Sequence, residues 1–134
     1  MTGDGLITVA STAPAGETID RLVEAVTAAG LRVFARVDHA AGAAEVGMEL
    51  RPTEVVLFGH PHGGTPLMQD RQTAGIDLPL KALAWEDEHG AVWLTTNDPQ
   101  WLARRHGLGE PSRQAVAALA AGLERVTGGA AGTI

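Results

Sequence analysis

Two short runs, Leu80 to Glu86 and Ala91 to Asn97, flank the tetrapeptide Asp87-Glu88-His89-Gly90. Alternating stretches around a short loop that contains glycine read as a β-hairpin. Its apolar residues occupy both parities: Leu83, Trp85 and Trp93 fall on one side, Val92 and Leu94 on the other. A sheet that is apolar on both faces needs cover on both, and this constrains the fold more than any other feature of the chain.

The remaining pattern supplies the cover for one face. Leu6 to Ser11 reads as a strand with Ile7 and Val9 on one side. A helix starts near Pro14, with Glu17 and Asp20 at its positive end and Ile19, Leu22, Val23 and Val26 along one stripe, and Gly30 stops it. Leu31 to Asp38 alternates, with Val33, Ala35 and Val37 opposed to Arg32, Phe34, Arg36 and Asp38. Ala40 to Val46 predicts a short helix and Thr53 to Phe58 a strand. Residues Gly59 to Pro66 read as a loop, followed by a short helix over Leu67 to Gln69, and Trp101 to His106 as a helical turn. Ser112 is expected to cap a last helix with Val116, Leu119, Ala120, Leu123 and Val126 on one stripe, and Gly128 and Gly129 are expected to end it.

The order β-α-β-β-β-β-α predicts an α+β, two-layer fold, a largely antiparallel sheet with helices packed on one face. Residues 1–134 are expected to form one domain, with a core over about 6–127 and a flexible tail over 128–134. Two helices cover only one face, so the other is expected to meet a second copy in a homodimer or to enclose a ligand.

A formal net charge of −6 repels phosphate backbones and disfavours nucleic-acid partners. The absence of Cys and Tyr removes disulfides, thiolate-held metals and chemistry that needs a thiol or a phenol. No stretch approaches the roughly 20 apolar residues that span a bilayer. Met1-Thr2-Gly3-Asp4-Gly5 is unlike a leader peptide, so a cytoplasmic protein with no membrane partner is expected.

The runs R-V-D-H-A-A-G-A (Arg36 to Ala43), M-E-L-R-P-T (Met48 to Thr53), F-G-H-P-H-G-G-T-P-L-M (Phe58 to Met68), D-L-P-L-K-A-L-A-W-E-D (Asp77 to Asp87) and N-D-P (Asn97 to Pro99) together resemble domain of unknown function family 302. The resemblance runs from Leu6 to about Leu108. It implies a β-α-β(4)-α fold of the TATA-binding-protein-like type, often a homodimer, and no established activity. The chain departs from the family pattern at His60 and His62, where the loop more often reads F-G-N-P-K, and at Thr96, where Tyr is common.

The candidate ligand-binding residues are Arg36, Asp38, His39, Gly59, His60, His62, Gly63, Gly64 and Thr65. Gly59 and Gly64 have P-loop spacing, but Thr65 stands where the phosphate-gripping Lys belongs, so nucleotide hydrolysis is not expected. Free N–H groups near Gly63, Gly64 and Thr65 suggest a small-anion cradle, with Arg36 as its cation; the alternative is a tight turn that needs glycine. His60 and His62 can offer two imidazoles to a metal, short of the three or four a stable site uses, and no tightly held metal is expected. Asp38 can orient His39 for proton transfer, or simply cap the helix that follows. Three functions stay open: a small soluble homodimer that binds a small anionic molecule, a small enzyme using His39 or His60 for proton transfer with or without a metal, and a protein-interaction module.

Overall fold

A computed structural model describes residues 3–132. The five strands are β1 (Leu6–Ala10), β2 (Arg32–Asp38), β3 (Thr53–Gly59), β4 (Leu80–Glu86) and β5 (Val92–Asn97). The helices are α1 (Ala15–Ala28), α2 (His39–Glu45), α3 (Pro61–Asp70), α4 (Pro99–His106) and α5 (Arg113–Ala131). The strands form one sheet in the order β1-β5-β4-β3-β2, with every neighbouring pair antiparallel. This is the α+β architecture that the hydrophobic pattern predicts.

The order places β1 and β2 at opposite edges, and α1 bridges them. Ile19, Leu22 and Val26 of α1 are fully buried against Val56, Phe58, Ala82 and Ala84. The two alanines of β4 leave room for the helix backbone to lie close to the sheet. Leu123, Val126, Ala130 and Ala131 of α5 complete this core.

The hairpin forms in the expected register. Trp85 faces Trp93 and Leu83 faces Thr95 on one side, while Ala84 faces Leu94 on the helix-bearing side. The face away from α1 and α5 carries Val55, Leu57, Leu83, Trp85 and Trp93, each half-buried. The Trp85 and Trp93 rings lie 6.4 Å apart. Both indoles are tied down: Trp85 Nε1 donates to Thr95 Oγ1 at 2.8 Å, and Trp93 Nε1 to Asp87 Oδ2 at 2.9 Å.

Three local readings need correction. The expected loop at Gly59–Pro66 is mostly helix, because α3 starts at Pro61. Pro61 fits a first helical position, and burial of Leu67 against Ala74 and Val116 outweighs the poor helix propensity of Gly63, Gly64 and Pro66. The expected flexible tail is also helical: α5 runs through Gly128 and Gly129 to Ala131, and Ala131 accepts a hydrogen bond from the Thr12 N–H. Gly132, at φ +82°, is the actual stop, and a Cβ there would collide with Thr12. Residues 133 and 134 of that tail lie outside the described residues. In β2 a register shift at Phe34 puts Val33 opposite Phe58 and Ala35 opposite Leu57, so Val33 does not share a face with Ala35 and Val37.

Candidate functional site

The expected site residues fall into two groups at opposite ends of β3. Arg36 pairs across the sheet with Val56, and Asp38 with Glu54, so both side chains share the helix-bearing face. His60 begins α3 beyond the other end of the strand. Six residues of extended chain separate Glu54 from His60, about 20 Å. The chain therefore does not assemble Arg36, Asp38 and His39 with the Gly59–Pro66 segment.

Within the first group, Arg36 is already occupied. Its guanidinium bonds Glu54 through Nε and reaches Asp20 of α1 at 2.8 Å. The hydrogen bond to Glu54 is the main reason its pKa rises above the usual arginine value, with Asp20 adding to it. Two carboxylates on one guanidinium leave no surplus positive charge for an anion. Asp38 is the N-cap of α2, with Oδ1 accepting from the Ala41 N–H at 2.9 Å. His39 is the exposed first residue of that helix.

In the second group the backbone donors are spent. Gly63 N–H and Gly64 N–H both donate to the His60 carbonyl, at 2.9 and 3.2 Å, and His62 N–H donates to His60 Nδ1 at 3.1 Å. The anion cradle expected at Gly63, Gly64 and Thr65 is thus closed on itself by the first turn of α3. Gly63 has a packing reason instead: a Cβ there would lie 3.1 Å from Leu119 of α5. The His60 and His62 rings sit 5.1 Å apart. Among the described residues, no three His, Asp or Glu side chains gather as a metal site would need. Beside this turn lies a pocket of about 190 Å³ with largely apolar walls, among them Phe58, Met68, Leu78, Leu80 and Leu119.

Other residues order the loops, and sequence reasoning gave them smaller parts. His106 Nε2 meets Asp77 Oδ2 at 2.5 Å, its Nδ1 lies 3.2 Å from Thr73 Oγ1, and its side chain is almost fully buried. These groups lie 29 and 33 positions apart in the chain, and no local pattern links them. Asp70 accepts from Gly109 N–H and the Ser112 hydroxyl, and those bonds hold its carboxyl below the usual range. Asp98 caps α4, and Asn97 Oδ1 accepts from the Lys81 N–H at 2.7 Å. The N-D-P run therefore joins a helix start to β4, beyond turning the chain.

A third region stands out by exposure. Six large apolar residues between positions 33 and 50 are exposed: Val33, Phe34, Val37, Val46, Met48 and Leu50. Helix α2, in their midst, buries none of its seven residues. The visible signal is V-G-M-E-L at Val46 to Leu50, where Val46, Met48 and Leu50 alternate as in a strand although the segment forms none.

The model for Domain of unknown function DUF302 matches residues 7–126. The chain belongs to this family. A crystal structure of an uncharacterized conserved DUF302 protein from Bacillus stearothermophilus superposes with a TM-score of 0.75, covering 97 % of this chain and 98 % of that one at 19 % identity. That similarity concerns the fold. Two curated relatives are more similar in sequence. A protein of Brucella suis biovar 1 (strain 1330), named fluoride-specific ion channel FluC 1, is 54 % identical over 128 residues, which are 96 % of this chain and 50 % of the relative. A protein of the same name from Brucella abortus biovar 1 (strain 9-941) is 54 % identical over 96 % of this chain and 47 % of the relative. The DUF302 chain thus spans about half the length of the curated relatives it matches.

These relatives overturn the functional expectation drawn from the sequence. A free-standing small domain of unknown function that binds a small anion does not fit relatives named as fluoride-specific ion channels. Among the described residues of this DUF302 chain, no helix is long and apolar enough to cross a membrane.

Proposed function

We propose that this chain is the extramembrane part of a fluoride-channel protein, and that the pore is formed by chain outside the DUF302 fold. The observation that carries this reading is the relatives' extent: 54 % identity covers nearly all of this chain but only half of proteins named as fluoride-specific channels. The structure supports it physically. A helix that conducts an ion across a bilayer needs about 20 apolar residues with every backbone group satisfied. Helix α5, the longest here at nineteen residues, carries Arg113, Glu124 and Arg125 and spends its apolar stripe on the core.

The test is fluoride efflux from loaded liposomes, read with a fluoride electrode. This chain alone is expected to release none. A chimera in which it replaces the matching half of the Brucella suis relative is expected to conduct. Efflux from this chain alone, or a folded chimera without efflux, would overturn the reading.

A further inference from the structure

The segment from β2 through α2 to Leu50 lacks the cover that the rest of the molecule has. Val46 is 71 % exposed, Met48 66 % and Phe34 52 %. Large apolar groups are acceptable singly on a surface, but five within one arm, with Val33 set apart on the helix-bearing face, mark an interaction site. Helix α2 adds a second observation. Isolated helices shorter than about 12–15 residues are marginal in water and gain their stability from tertiary packing. Seven residues with none fully buried, held at one end by Asp38 and half-covering only Ala40 and Ala43, have little of that packing within this chain. The sheet adds a third: β2 is an edge strand, with one row of backbone groups turned outward.

We infer that this arm is the surface through which the domain docks on the membrane-embedded part of a fluoride channel, an inference that rests on the channel assignment above. Two features choose this occupant. The relatives carry about as much chain again outside the matched half, so a covering partner is present in the same protein. Overall charge disfavours an acidic bilayer as the cover. The chain has a formal net charge of −6 and acidic lipid headgroups repel it. Within the arm Arg32, Arg36 and Arg51 balance Asp38, Glu45 and Glu49, so the apolar side chains and not charge set what covers it. The complementary surface is a protein groove with an apolar floor for Val46, Met48 and Leu50.

The test uses the same chimera, with photoreactive benzoylphenylalanine in place of Met48 or, as a control, of Ile76, which is 76 % exposed on another part of the surface. Light is expected to join position 48, and not 76, to peptides of the channel half. Val46→Glu combined with Leu50→Glu is expected to lower that yield about tenfold, the effect of roughly 1.4 kcal/mol in docking. In the isolated chain the same pair should leave the thermal midpoint unchanged, since both side chains are exposed. Equal crosslinking from position 76, or crosslinking from 48 only to lipid or to a second copy of this domain, would overturn the docking surface while efflux keeps the channel assignment. A folded chimera without efflux rejects the assignment itself.

Discussion

Helix α5 has nineteen residues and buries seven, whereas α2 has seven and buries none. Asp38 caps α2, whereas Ser112 ahead of α5 makes no capping bond and gives its hydroxyl to Asp70, against the cap expected from the sequence. The helices differ in what each finds to pack against. Helix α5 lies on α1 and the sheet and contributes Leu123, Val126, Ala130 and Ala131 to the main core. Helix α2 closes an edge strand and leads into Val46, Met48 and Leu50 with nothing over them. Within this chain, then, α5 is part of what makes the fold stable, and α2 is a surface whose partner lies elsewhere.

Truncating side chains on either side of that divide should give the largest contrast. Phe58 is 2 % exposed in the main core, and Phe58→Ala is expected to cost about 3–5 kcal/mol in denaturant unfolding. Met48→Ala should stay within about 0.5 kcal/mol of wild type, as exposed positions do. A loss of more than about 2 kcal/mol at Met48 would show that the arm is integral to the fold and end the contrast.

A smaller effect separates the helices through their caps. Asp38→Ala removes the acceptor for the Ala41 N–H and is expected to cost about 1 kcal/mol, felt in α2. In an NMR spectrum the shifts of 39–45 should move toward coil values while those of α5 stay in place. Simultaneous loss of both helices would mean that α2 is cooperative with the core.

The opening hairpin pattern and α1 were legible because burial there is periodic: alternate positions of β4 and β5 face α1, and Ile19, Leu22 and Val26 recur on one stripe. The family resemblance was legible in the motifs from Arg36 to Pro99. Helix α3 was not, since Gly63, Gly64 and Pro66 argue locally for a loop and only the contact of Leu67 with Ala74 and Val116 makes the helix worthwhile. The candidate site failed for a related reason. Arg36 and Gly64 are chemically suited to an anion, yet Glu54, Asp20 and the His60 carbonyl, all fixed by tertiary or turn geometry, already use their charge and their N–H. The partner of the arm left no trace in the chain beyond the alternation of Val46, Met48 and Leu50 in a segment that forms no strand.

The smallest expected effect is electrostatic and tests the hairpin end of the sheet against the arm. The Trp93 indole N–H, aided by the N–H groups of His89 and Ala91, holds the Asp87 carboxyl below the usual carboxylate range. A carboxyl lowered in the folded state contributes stability above its unfolded pKa, about 3.9, and loses it as pH falls through the folded value. Asp87→Asn should therefore be less stable than wild type near neutrality, and the gap should close as the pH drops below about 4. Asp38→Asn keeps a capping oxygen at α2 and should change stability little near neutrality. A pH-independent gap for Asp87→Asn would point to packing of Trp93 instead.

The most direct measurement is amide hydrogen exchange of residues 39–45, taken in the isolated chain and in the fluoride-channel chimera, with α5 as internal reference. The account predicts rapid exchange in α2 of the isolated chain, marked slowing in the chimera, and slow exchange of buried α5 amides in both. Exchange in α2 as fast in the chimera as in the isolated chain would contradict it.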